Sequence, residues 1–349
     1  MSVNYDGGTL QDLMEESYCL KASDGTEIDL TKTGSGSVNP VTAAHLPLYI
    51  ETQPSIDEDM ATVAEGYTEA PKLTVEAVST VGDISYQWYV NKTVGETTGD
   101  EIAGANSAVY QIPTGLSAGT YEYYCEATAG SNKVTSKKVT FTVGEAYAET
   151  TINGKTKTQL SLEKALTEIS EAGAGDATLK ILKDIDSETF SSEAISGAVT
   201  IDLNGHAVGY KGDGSDWQTG IDKFGFCITG GTVTLTDSST SKTGYLHGTL
   251  QVDGGKFSLE NGTCENLNVS AGTGTIFGGT CESLNVSAGT GIISGGTCKT
   301  VEVNSGAALK VTGDSAEINT LKALHEVNTR AEVTLSGGRF GSIEVTISG

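Results

Sequence analysis

The chain is short of several things at once. In 349 residues there are five prolines, two tryptophans and four histidines, and aromatic residues make up 6%. No run of 18 or more residues is apolar, so no stretch reads as a membrane-spanning helix. Basic residues number 21 against 45 acidic ones, a formal net charge of −24. A surface of that sign repels phosphate backbones and anionic headgroups, so neither nucleic acid nor membrane insertion is expected. The six cysteines, Cys19, Cys125, Cys227, Cys264, Cys281 and Cys298, form no C-x-x-C pair, and the spacings of zinc and thioredoxin-like motifs are missing. No Ser/His/Asp set or nucleophile elbow is visible. His45, His206, His247 and His325 are scattered and read as structural, with His206 at a turn. The first residues have neither a basic segment nor an apolar one, so no secretory signal is legible.

Glycine is abundant, at 45 residues, and threonine, serine and valine recur throughout, a composition that favours strands and turns. Three regions follow. Residues 1–50 read as a short helical turn and two short strands, then a polar linker, TKTGSGSVNP. Residues 51–146 hold period-2 runs (LTVEAV, ISYQWYV, AVYQI, TYEYYCEAT, KKVTFTV) separated by turn clusters, the pattern of a β-sandwich. Residues 147–349 begin with SLEKALTEISEAG, where Leu162, Ala165, Leu166 and Ile169 fall on one helical face behind Ser161 as N-cap. Short apolar strands follow, then an internal repeat of 17 residues. GTCENLNVSAGTGTIFG starts at Gly262, GTCESLNVSAGTGIISG at Gly279 and GTCKTVEVNSGAALKVT at Gly296, with a looser copy, GGRFGSIEVTISG, at Gly337. One such repeat cannot bury its own apolar face, so successive copies must stack as rungs. The stacked Cys264, Cys281 and Cys298 read as small apolar fillers rather than metal ligands, because Phe340 takes their slot in the fourth copy and a straight ladder is not tetrahedral.

Two resemblances attach to these residues. Trp88, Cys125 and Tyr123 resemble the core Trp, the strand-F cysteine and the tyrosine corner of bacterial immunoglobulin-like domains. Val75 stands where the partner cysteine would be, so Cys125 is expected as a buried free thiol. The helix, the strands ATLKILKDI and VTIDLNG, and the SGGT-type coils resemble right-handed parallel β-helix, pectin-lyase-like modules of Gram-positive commensal surface proteins. The expected fold is therefore all-β, an immunoglobulin-like sandwich at 51–146 followed by a parallel β-helix with a short N-terminal capping helix at 147–349. Residues 1–50 would be the cap of a preceding β-helix unit plus linker, and the chain a piece of a tandem array.

The resemblance is specific for fold. Among Asp184, Asp186, Glu188 and Asp202 nothing singles out a catalytic pair, and Gly262 to Gly296 holds no Lys or Arg. The expectation is a non-enzymatic, extracellular cell-surface recognition module that binds a host glycan or a host protein such as an immunoglobulin, beside neighbouring modules of the same chain. The loop Gly209–Gly225 supplies the candidate binding residues: Trp217 for stacking, with Asp213, Asp216 and Asp222 as acids that could hold calcium; no other cofactor is expected. The competing readings are a structural spacer, a carbohydrate-active enzyme of lyase or hydrolase type, and a phage fibre protein.

Overall fold

The computed structural model describes residues 3–5, 18–22, 36–38, 41–173, 175–186, 194–195, 197–209, 225–326 and 329–348. The chain divides into two compact units, Met1–Gly144 and Glu145–Gly349.

In the first unit, Val3–Tyr5 pairs antiparallel with Gly36–Val38, and Tyr18–Ala22 with Val41–His45. The segment expected as linker thus contributes a strand at Gly36–Val38. The rest is a β-sandwich. Ser85–Asn91, Gly119–Ala129 and Val139–Gly144 form the centre of one sheet, and Thr62–Ala64 joins its edge in parallel. Leu48–Thr52 pairs with Glu76–Ser79, and Lys72–Thr74 with Val109–Gln111. Trp88 and Cys125 are directly paired across the sheet and fully buried, and Val75 shares their core. The indole of Trp88 donates to the Ser107 carbonyl (2.8 Å) and stacks on Tyr110. Cys125 is a free thiol pushed up to about 12 by burial. The hydroxyl bond expected of Tyr123 is made instead by Tyr121, which donates to the Ser117 carbonyl (2.9 Å). Tyr123 lies one step deeper on the same face, buried against Tyr110.

The second unit is a parallel β-solenoid. The hairpin Ala148–Ile152/Lys155–Gln159 opens it and pairs antiparallel with Asp176–Ile181; from there the rungs are parallel. One sheet continues through Ala198–Asp202, Thr232–Thr236, Lys256–Leu259, Thr273–Ile276, Thr290–Ile293, Ala308–Val311 and Glu332–Leu335. The other runs Ala194–Ile195, Gly225–Ile228, Tyr245–Val252, Thr263–Val269, Thr280–Val286, Thr297–Val303, Glu317–Glu326 and Arg339–Ser348. Helix Leu162–Glu171 buries Leu162, Ala165, Leu166 and Ile169 in the same core as Leu179 and Ile181, and the Ser161 hydroxyl accepts from the Lys164 amide. An amphipathic helix is thereby the lid on the first rung.

The repeat stacks in exact 17-residue register: Cys264 pairs with Cys281, and Cys281 with Cys298. The slot continues apolar through Ile318 and Phe340. A rung that the repeat pattern does not reveal, Glu317–Glu326, therefore separates the third copy from the looser one. All three cysteines are free and buried, and burial raises Cys264 to about 12. The corners need glycine for a concrete reason. Gly279 has φ +66°, and a Cβ there would stand 2.4 Å from the Gly262 carbonyl oxygen one rung below.

Candidate active site

The loop residues proposed from sequence, Asp213, Asp216, Trp217 and Asp222, lie outside the described residues, as does Glu188. Two of the other acids named near the first rungs, Asp184 and Asp202, serve turns. Asp202 accepts from the Asn204 and Ser238 amides, and Asp184 accepts from the Ala207 amide and pairs with His206. Asp237, fully buried, accepts from the Gly205, Ser239 and Gly244 amides. These carboxylates accept backbone amides and so pin the chain between rungs.

A different set of titratable groups comes together on the outward side of the second sheet. Cys264, Cys281 and Leu267, Leu284 point into the core, so Glu265 and Glu282 between them point out on consecutive rungs. Adjacent strands lie about 4.8 Å apart. In the rung before, Tyr245–Val252 carries a bulge: His247 and Gly248 oppose the single residue Glu265. The extra residue turns the Gly248 amide toward the Glu265 carboxylate (2.8 Å), and Asn266 closes the loop by donating to the Gly248 carbonyl (3.1 Å). His247 Nδ1 lies 3.6 Å from Glu265 Oε2. The imidazole stacks on Tyr245, ring centroids 4.1 Å apart. The Tyr245 hydroxyl is raised above its ordinary range, first by burial and then by the Glu282 and Glu265 carboxylates, and it hydrogen-bonds to Glu282. One rung further, Lys299 Nζ meets Glu282 Oε1 at 2.5 Å.

The result is a contiguous row across three rungs and the bulged strand: Tyr245, His247, Glu265, Glu282 and Lys299. His247 and Glu265 are largely buried, while Glu282 and Lys299 are a third to a half exposed. Glu265 and Glu282 stand on neighbouring rungs, whose backbones lie about 4.8 Å apart; a retaining glycosidase works with two neighbouring carboxyl groups. A phenol kept protonated and an imidazole beside a carboxylate add proton carriers. Sequence reasoning missed this set because it examined the repeat for composition and not for its outward row. The signal was present: Glu265, Glu282 and Lys299 recur at the 17-residue period. The bulge that adds His247 and Gly248 breaks the period and left no trace.

No family model matches the chain, and no curated protein matches it. The solenoid places the second unit in the class of parallel β-helix proteins. A search of solved structures finds the crystal structure of pectate lyase Pel3 from Pectobacterium carotovorum, at 15% identity and TM-score 0.22, covering 82% of this chain and 86% of that one. The expectation of a non-enzymatic recognition module is corrected here. The outward row supplies the cluster of titratable side chains whose absence had motivated that expectation.

Proposed function

We propose that the solenoid is a carbohydrate-active enzyme domain that hydrolyses glycosidic bonds at the row from Tyr245 to Lys299. The observation that carries this reading is the pair Glu265 and Glu282, outward on consecutive rungs, each with its own fixed partners. Glu282, ion-paired with Lys299 and accepting from Tyr245, is the carboxylate that faces the anomeric carbon or the attacking water. His247 with Glu265 delivers the proton to the leaving oxygen. A net charge of −24 disfavours polyanionic glycans, so the substrate class is a neutral polysaccharide. The sandwich is an accessory module of immunoglobulin type, a reading supported by the buried Trp88–Cys125 pair and the Tyr121 bond. The chain works outside the cell, where such substrates are met.

The test is incubation of the full chain with soluble neutral and acidic polysaccharides, following reducing ends and the ultraviolet absorbance of unsaturated uronides. Hydrolysis is expected, with reducing ends and no unsaturated product. Glu265→Gln and Glu282→Gln are each expected to lower kcat by roughly 10²–10⁴ with unchanged melting temperature. Unsaturated product would replace hydrolysis by β-elimination. Absence of any cleavage, or full activity in the doubly substituted chain, would remove the enzymatic reading.

A further inference from the structure

Phe277 is an aromatic side chain that the core does not use. It is 52% exposed, although the residue before it, Ile276, is fully buried. Its place in the rung is fixed: the Phe277 amide donates to the Leu259 carbonyl (2.9 Å), and the amides of Glu260, Ser294 and Thr312 make the corresponding bond one rung at a time. The corner ridge therefore reads Glu260, Phe277, Ser294, Thr312, with polar residues at every other step. A polar residue satisfies this corner, so folding does not require an aromatic there, and exposing a phenyl ring to water is unfavourable.

The ridge borders the outward row. Phe277 is followed by the turn Gly278–Gly279 and then by strand Thr280–Val286, which carries Glu282. Three residues span at most about 10 Å, which keeps the ring beside the start of that strand. Thr280 pairs with Thr263, and Thr263 with Tyr245, so the strip next to the ridge is the one on which Tyr245 lies. Tyr245 and Phe277 thus both lie by the start of these strands, on the side that precedes Glu265 and Glu282.

We infer that Phe277 is a sugar-stacking platform that sets the affinity of the site for its glycan. The inference rests on the hydrolase reading above. The apolar C–H face of a pyranose carries partial positive charge, and the negative face of a phenyl ring attracts it. A charged or hydroxyl side chain, as the other rungs have at this corner, offers no such face.

The test separates binding from turnover. In the Glu282→Gln background, the affinity for a xylan, a mannan and a mixed-linkage glucan is measured by affinity electrophoresis, with and without Phe277→Ala. A loss of about tenfold is expected, with recovery in Phe277→Tyr, while in the otherwise native chain Phe277→Ala raises KM and leaves kcat within twofold. Equal binding by the Phe277→Ala chain, when the native chain cleaves the polysaccharide, overturns this inference and leaves the hydrolase reading standing. If the native chain neither binds nor cleaves any of them, both fall together.

Discussion

Glu122 shows how a single charge is used in the sandwich. It is buried, and its carboxylate accepts from the Asn91 carboxamide (3.2 Å), the Gly95 amide (3.2 Å) and Lys138 Nζ (3.1 Å). Lys138 and Asn91 also donate to the Glu96 carbonyl, so the loop after Asn91 is tied to the middle of the sheet. Burial alone would raise the Glu122 carboxyl, but Lys138, Gly95 and Asn91 outweigh it and hold the group below its ordinary value of 4.5. A folded value below the unfolded one gives stability that is complete above the unfolded value and is lost as pH falls through the folded value. Glu122→Gln is expected to destabilise the chain by about 1–3 kcal/mol at neutral pH. That difference should shrink on acidification below pH about 4. Thermal unfolding of both chains between pH 7 and pH 3 measures it, and a constant difference would show that the charge is not what matters. At the same scale, the buried thiols of Cys264 and Cys281 are fillers: Leu246 precedes them and Ile318 follows them in the same slot.

At the scale of elements, the unit that matters is the rung with its glycine corner. Each corner sits directly on the one below, and backbone meets backbone with no room for a side chain. Gly279→Ala combines a left-handed φ with a contact of 2.4 Å to the Gly262 carbonyl oxygen. It is expected to cost at least about 2 kcal/mol, since strained backbone alone costs about 1–3. Denaturant titration of the full chain checks this, and a cost within about 0.5 kcal/mol would mean that the corner relaxes freely. The same corners keep every rung in register, so a 17-residue sequence period becomes a row of outward side chains. The bulge at His247 and Gly248 is the exception that builds the site, because an extra residue re-aims one amide and one imidazole at Glu265.

For the whole molecule, on the proposed hydrolase reading, charge is expected to govern which glycans reach that row. With −24 overall, a polyanionic chain is repelled over distances that salt shortens to about 10 Å at 0.1 M. Activity on a neutral polysaccharide is expected to change by less than twofold between low and high salt, whereas binding of an acidic one should improve as salt rises. Initial rates and affinities across a salt series decide between these behaviours. A neutral substrate whose turnover collapses with salt would place the recognition in the Glu282–Lys299 ion pair rather than in stacking and hydrogen bonds.

The amino-acid sequence by itself determined the all-β class, the solenoid and its lid. Those features rest on local periodicities: two for strands, 3.6 for Leu162 to Ile169, and 17 for the cysteine rungs, each of which forces a buried face. That Trp88 and Cys125 share a core was legible only through their resemblance to immunoglobulin-like domains, and the structure pairs and buries them. The tertiary structure alone decided that Tyr121 and not Tyr123 makes the corner bond, that a rung lies between Cys298 and Phe340, and that Gly36–Val38 is a strand. It alone decided the site as well. Tyr245, His247, Glu265, Glu282 and Lys299 span 55 positions of sequence and become neighbours only when rungs stack. Periodicity reveals which residues turn inward, since burial repeats; what the outward residues do depends on where a bulge interrupts the stack, and no period encodes that.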